Sequence, residues 1–338
     1  MDIGATTTAV NERQRVRMLQ ALFSEGLATI DAAGAVTVGI GDDAAVVHPG
    51  PDPVVVSTDA QVEGVHFRSD WMDRRAIGYR ATMAALSDLA AMGAAPLGLV
   101  SALILPASFD DGALRELALG QRQAAAAVGT AVIGGNLTRG AELSITTTVF
   151  GVVAHPLLRS GARPGDVLAV VGSLGLARAG LLALSSERPS SPVLAPALAA
   201  YRVPTAHIAA GKVLAPVAHA CIDVSDGIAL DAKRLAEESD VAVVLEAEAL
   251  LTPELELAAG AIGEPPVTLA LEGGDDYALL VALAPDAFDT VVTQPPLRRV
   301  GRIETGEGLW IDETDDADAE RVEIEAGVGY DHFDPEGD

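Results

Sequence analysis

A chain of 338 residues with a net charge of −26 has room for two ordinary domains and is a poor partner for nucleic acid. Hydrophobic residues make up 49% of it but aromatic residues only 4%, so the core must be built mainly from Ala, Val, Leu and Ile. No uninterrupted apolar run is long enough to span a bilayer, residues 1–10 lack a basic-then-apolar leader pattern, and Cys221 is the only cysteine; together these predict a cytoplasmic protein without an internal disulfide.

In chain order, Val16, Leu19, Leu22 and Phe23 share one face of a helix predicted over 11–27. Val54 to Val56 is a short buried strand, ended by Ser57-Thr58-Asp59. A helix over 74–92 grows very apolar toward its end, a strand covers 97–105, and an Ala-rich helix covers 110–128. Residues 143–153 alternate polar and apolar through Ser144, Thr146 and Thr148, the pattern of a half-buried strand. A boundary falls near 154–164, giving domains 1–153 and 154–338. In the second, strands are predicted over 166–171, 221–224, 241–245, 277–283 and 298–303, and helices over 174–184, 205–217 and 228–239. Residues 188–196, rich in Pro and Ser, read as a surface loop. Strand–helix alternation of this kind suits both α/β and α+β domains.

The acids are not scattered evenly. Gly39-Ile40-Gly41-Asp42-Asp43 and Glu272-Gly273-Gly274-Asp275-Asp276 place carboxylates after glycines, which alone would suit any turn. Ser57-Thr58-Asp59 offers three hard oxygen donors of the kind magnesium takes, or a helix cap. Asp88, beside Ser87, interrupts an apolar helix where a carboxylate is costly to bury without a partner, unless it lies on a narrow exposed stripe. Gly134-Gly135-Asn136 follows apolar Ala131-Val132-Ile133, so the glycines are read as the end of a strand where amides can approach a phosphate. Asp223-Val224-Ser225-Asp226-Gly227 ends a strand and opens a helix, a favourable place for anions and equally an ordinary N-cap. Carboxylates repeated at the edges of apolar segments are most simply explained by one polyvalent metal–phosphate site.

Other phosphate chemistries are missing. Lys212 follows a glycine, but Ala206 and Val213 stand where a Walker A loop needs Gly and Ser or Thr. Gly172, Gly175 and Gly180 have the wrong spacing for a dinucleotide fingerprint. Only Lys212 and Lys233 are lysines, and the six histidines are dispersed, so neither a lysine-based phosphate site nor a Ser-His-Asp triad is supported.

In this order the motifs resemble the thiamine-monophosphate kinase family, from Gly39 to Phe333. The most specific pieces are Gly41-Asp42-Asp43, Ser57-Thr58-Asp59 with Val62-Glu63-Gly64-Val65-His66-Phe67, and Leu86-Ser87-Asp88-Leu89-Ala90-Ala91-Met92-Gly93-Ala94. Ser160-Gly161-Ala162-Arg163-Pro164-Gly165-Asp166, Asp223 to Gly227, and Gly329-Tyr330-Asp331-His332-Phe333 complete the match. The resemblance implies a two-domain α+β fold of the aminoimidazole ribonucleotide synthetase type. Its N-terminal domain would carry a mixed sheet used in dimerisation and bind ATP and metal. A C-terminal α/β domain would complete the site of a homodimer. It implies magnesium ligands at Asp43, Ser57, Thr58, Asp59, Asp88, Asn136, Asp223 and Asp226. ATP contacts are implied at Gly135, Asn136, Arg159 and Ser225, and thiamine monophosphate contacts at His66, Asp275 and Phe333. Two departures are visible: Asn136 stands where the family usually has Asp, and Ala278 where it often has Glu.

Both substrates would be anions, so the expected catalysis is positioning and charge neutralisation by several magnesium ions, with direct in-line transfer and no protein nucleophile. The alternatives are another ATP-dependent synthetase of the superfamily, or a homologue that binds nucleotide and metal without catalysis. A selenophosphate synthetase would want a reactive cysteine near the N-terminus, and Cys221 lies in the second half.

Overall fold

Most of the expected elements form, but the polar motifs lie inside strands as often as at their ends. A computed structural model describes residues 12–31, 35–186, 191–313 and 321–324. The first half contains α1 (Glu12–Asp31), β1 (Val36–Val38), β2 (Val46–Val47), β3 (Val54–Val62), α2 (Arg74–Ala91), β4 (Ala95–Leu105), α3 (Asp111–Ala127), β5 (Val132–Arg139) and β6 (Ser144–Val152). The second contains β7 (Val167–Val171), α4 (Leu176–Ser185), a short 3-10 turn (Pro192–Leu194), α5 (Ala195–Arg202), α6 (Ile208–Leu214), β8 (Ala220–Val224), α7 (Ile228–Ser239) and β9 (Ala242–Glu246). It continues with α8 (Ala247–Leu250), α9 (Pro253–Ile262), α10 (Pro266–Glu272), β10 (Ala278–Leu283), α11 (Pro285–Val291), β11 (Arg298–Glu304), β12 (Leu309–Asp312) and β13 (Val322–Glu323).

The chain folds into two compact units that do not follow a single cut. One takes Met1–Gly50, Thr58–Thr82 and Leu97–Val149; the other takes Pro51–Ser57, Met83–Pro96 and Phe150–Asp338.

Four strands form a sheet in the order β3-β6-β4-β5. Glu63 N–H donates to the Leu143 carbonyl and Val153 N–H to that of Pro53, so β3 and β6 run antiparallel; β4 and β5 are parallel, and the sheet is mixed. In the first unit, Asp110 caps α3 by accepting from Ala113 N–H at 2.8 Å. A Cβ at Gly120 would lie 1.9 Å from the Arg75 carbonyl oxygen, so the close approach of α3 to α2 admits only glycine there.

Two strands run further than their sequence suggests. β3 continues through Ser57-Thr58-Asp59 to Val62, and β5 carries Gly134, Gly135 and Asn136 in its interior. Gly, Asp and Asn are poor strand formers, which is why both motifs read as strand ends. Pairing overrides propensity in β5, where Gly135 lies opposite Ser101 and Asn136 opposite Ala102. A Cβ on Gly135 would come within 2.0 Å of the Ser101 carbonyl oxygen.

In the second unit a seven-stranded sheet has the order β13-β12-β9-β11-β7-β10-β8. Every pairing is antiparallel except β12 with β9, so this unit is α+β rather than α/β. β10 is buried along its whole length, and Leu168, Val170, Ile222, Val243 and Leu280 pack with Ile228 and Leu235 of α7 and Leu255 of α9. The expected loop over 188–196 holds the 3-10 turn and the start of α5, with 187–190 outside the described residues. No described helix is long and apolar enough to cross a membrane.

Candidate active site

The second unit brings together two carboxylates distant in sequence. Asp223 comes at the end of β8 and Asp88 from the apolar part of α2. Ser87, fully buried, donates from Oγ to Asp223 Oδ2 at 2.7 Å; Ser57 of β3 donates to Asp88 Oδ2 at 2.5 Å. Burial and then the nearby Asp88 charge push the Asp223 pKa up to about 7, against the Ser87 hydrogen bond and the positive charge of Arg159. Arg159 itself is exposed, and its guanidinium has no hydrogen-bond or ion-pair partner among the described residues.

The loop after β8 is held by two residues outside the motif itself. Buried Asp231 of α7 accepts from Ser225 N–H at 3.0 Å and from Asp226 N–H at 3.1 Å. Burial raises its pKa to about 6. Arg234 spans the two acids, with Nη1 2.6 Å from Asp226 Oδ2 and 2.8 Å from Asp231 Oδ1. Asp226, expected to hold metal, is thus paired with an arginine in this structure. The only sequence signal for either residue is an acid and a base one turn apart on the buried side of the helix that follows the motif.

The Gly-Gly-Asp-Asp segment lies against the same loop. Asp275 N–H donates to the Ser225 carbonyl at 2.7 Å, and the Tyr277 hydroxyl donates to Asp275 Oδ1 at 2.9 Å. Asp275 and Tyr277 both have positive φ, 66° and 50°, a strained conformation for residues with side chains. Asp276 turns the other way and caps α4, accepting from Gly175 N–H at 2.6 Å and Ala177 N–H at 3.2 Å.

The first unit carries the remaining expected residues. Strand alternation separates the Ser-Thr-Asp motif: Ser57 and Asp59 point to one face of β3, while Thr58 lies on the exposed face, 3.0 Å from the Thr148 hydroxyl. Asp59 accepts from Gln61 Nε2 at 2.9 Å. Val62 N–H donates to His66 Nδ1 at 3.2 Å, which leaves the ring proton of the neutral imidazole on Nε2. Asp43 is exposed, its N–H bonded to Asp42 Oδ1 at 2.8 Å. Gly135 and Asn136 are exposed on β5, the edge strand of the four-stranded sheet. Phe333 lies outside the described residues.

The donor chemistry suits magnesium. Ser57, Asp88 and Asp223 offer only hard oxygens, and the mutual repulsion of two carboxylates is what a divalent cation relieves. Among the described residues no group of three or more His, Cys, Asp or Glu is gathered closely enough to hold a metal alone.

Residues 41–153 match the family model of AIR synthase related protein, N-terminal domain. The chain is 32% identical over 275 residues to thiamine-monophosphate kinase of Aquifex aeolicus (strain VF5), covering 81% of this chain and 89% of that protein. It resembles the crystal structure of thiamine-monophosphate kinase from Stenotrophomonas maltophilia K279a with a TM-score of 0.79 at 32% identity, covering 88% of this chain and 97% of that one. It also resembles AaThiL complexed with AMPPCP and TMP, with a TM-score of 0.77 at 30% identity, over 93% of this chain and 98% of that one. The fold is the two-domain α+β fold of these structures.

Proposed function

The chain belongs to the thiamine-monophosphate kinase family, and from that premise we propose that it transfers the terminal phosphoryl group of ATP directly, in line, onto thiamine monophosphate. The bond between the β-bridging oxygen and the γ-phosphorus breaks, a bond from an acceptor phosphate oxygen forms, and ADP and thiamine diphosphate leave. The observation that carries this reading is the Asp88–Asp223 pair, each carboxylate oriented by a serine hydroxyl. A solved relative that holds both AMPPCP and TMP supports the choice of substrates.

The acceptor phosphate is largely ionised near neutral pH, its second pKa being about 6, so no general base is required. His66, its Nδ1 taken by Val62 N–H, accordingly serves binding. Arg159 is exposed and ready to meet nucleotide phosphate, with Gly135, Asn136 and Ser225 as the other ATP contacts. Asp275, oriented by Tyr277, and Phe333 are assigned to the thiamine moiety.

Magnesium would be held on the first unit by Asp43, Thr58, Asp59 and Asn136, and on the second by Ser57, Asp88, Asp223 and Asp226, several ions in all. Bound there, it supplies neutralisation of the charge that gathers on the phosphates. For Asp226 to serve, its pairing with Arg234 must open.

Residues 1–153 are assigned to ATP binding, metal binding and dimerisation, and 154–338 to completing the nucleotide and substrate site. Val54, Val56 and Ile104, exposed on the four-stranded sheet, support a homodimer that covers them. The lone cysteine suits a cytoplasmic setting. Burial also pushes the Cys221 thiol up, which gives no support to a synthetase that needs a reactive cysteine.

The test is a phosphoryl-transfer assay with ATP, thiamine monophosphate and magnesium, run beside Asp88→Ala. Thiamine diphosphate should form with the natural protein and fall by several orders of magnitude in the variant. ATP bound without turnover would leave the non-catalytic reading standing.

A further inference from the structure

Gln61 is an unexpected residue for its place. It lies in β3 with only 3% of its surface exposed. Such a position ordinarily favours an apolar side chain. Gln61 uses one end of its amide, Nε2, to donate to Asp59 Oδ2 at 2.9 Å. The other end, Oε1, is buried with no hydrogen-bond partner among the described residues. Leaving a buried carbonyl oxygen unsatisfied is destabilising, a penalty that Met or Leu of similar size would not incur. Stability of the fold therefore does not explain this glutamine.

Its neighbour does. Residues two apart on a strand share a face, so the amide reaches the carboxylate without any departure from β3 geometry. Among the described residues Asp59 has no other hydrogen-bond or ion-pair partner. A carboxylate on a strand can rotate about two side-chain torsions, and here one amide N–H restrains it.

We propose that Gln61 is a positioning residue: it holds Asp59 by Oδ2 and leaves Oδ1 oriented for a divalent cation. The inference rests on the reading of Asp59 as a magnesium donor. Glutamine in this role trades some fold stability for a preset ligand, as residues that orient metal ligands do.

The test compares Gln61→Met, matched in volume, with Gln61→Leu and Asp59→Asn. Three quantities are measured: metal-free melting temperature, Mn2+ affinity by electron paramagnetic resonance in the presence of AMPPCP, and rate against free magnesium. Both Gln61 variants should melt at or above the natural temperature. They should bind Mn2+ about tenfold more weakly and need correspondingly more magnesium for half-maximal rate, with kcat at saturating magnesium nearly unchanged. Unchanged Mn2+ affinity and magnesium dependence in Gln61→Met overturn the proposal, and so does failure of both variants to fold, which would make the amide a requirement of the fold. If Asp59→Asn also binds Mn2+ normally, the assignment of Asp59 itself falls. If only Asp59→Asn loses affinity, the proposal for Gln61 falls alone.

Discussion

Ser87 Oγ donates to Asp223 Oδ2 across 136 positions of sequence, tying the apolar end of α2 to the end of β8. Both residues are buried, and the bond offsets only part of the penalty on Asp223, whose pKa stands at about 7 against an ordinary 3.8. The folded, metal-free protein thus binds a proton on Asp223 more tightly than the unfolded chain does.

The sign of the pH effect follows. Between about pH 4 and pH 7 the folded state holds more protons on this group, so its contribution to stability falls as the pH rises through that window. Asp223→Asn removes the titration. At pH 8, without metal, the variant should be more stable than the natural protein by up to about 3 kcal/mol, while kinase activity falls at least about a hundredfold. Denaturant unfolding at pH 5 and pH 8 measures it; a variant less stable than the natural protein at pH 8 sinks the prediction.

His66 should matter for binding and not for proton transfer, because Val62 N–H occupies Nδ1 and the acceptor arrives ionised. His66→Ala should raise the KM for thiamine monophosphate about tenfold with little change in kcat. A pH–rate profile that loses a limb near the histidine pKa would show the opposite role.

Glu304 lies in a surface network, bonded to Arg321 and Arg302. The Arg321 hydrogen bond, first, holds its carboxyl below the usual range. For a depressed acid the stabilisation is present above the unfolded pKa and lost as the pH falls through the folded one. Glu304→Gln should cost about 0.5 kcal/mol at pH 7 in low salt, and nothing near pH 2 or in 1 M salt. A loss that persists at high salt would mean packing, not charge.

How much of this could be read from the chain depends on how each residue departs from its surroundings. Asp88 was legible because a carboxylate in an apolar helix needs a partner, and folding brings it the Ser57 hydroxyl while setting it near Asp223, whose like charge calls for a cation. Ser57, Thr58 and Asp59 were legible as oxygen donors but not as a strand interior, so the separation of Thr58 onto the other face was hidden. Asp231 and Arg234 left only the faint signal of an acid and a base one turn apart, and Gln61 left none. The burial of Asp231 and Gln61 is not visible in the chain, and the role of each of the three exists only through a partner that folding supplies. The antiparallel pairing of the second sheet was equally invisible, since alternation of strands and helices does not state which strand lies beside which.

Asn136 separates the catalytic reading from the non-catalytic one. It is exposed in β5, opposite Ala102, and its side chain has no hydrogen-bond partner among the described residues, so nothing in the fold requires an amide there. A neutral amide oxygen attracts magnesium less strongly than a carboxylate would. If residue 136 contributes to a metal site, the natural protein is an active kinase with one site of reduced affinity. Asn136→Asp should then lower the free magnesium needed for half-maximal rate by about tenfold, the effect of one added charge worth about 1.4 kcal/mol. Because the position is exposed and unpartnered, the change should leave the melting temperature of the metal-free protein nearly unaltered. Rate against free magnesium for the two proteins decides the matter. Coincident curves would remove residue 136 from the metal site. An inactive natural protein that gains activity on Asn136→Asp would show instead that this chain binds its ligands without turning them over.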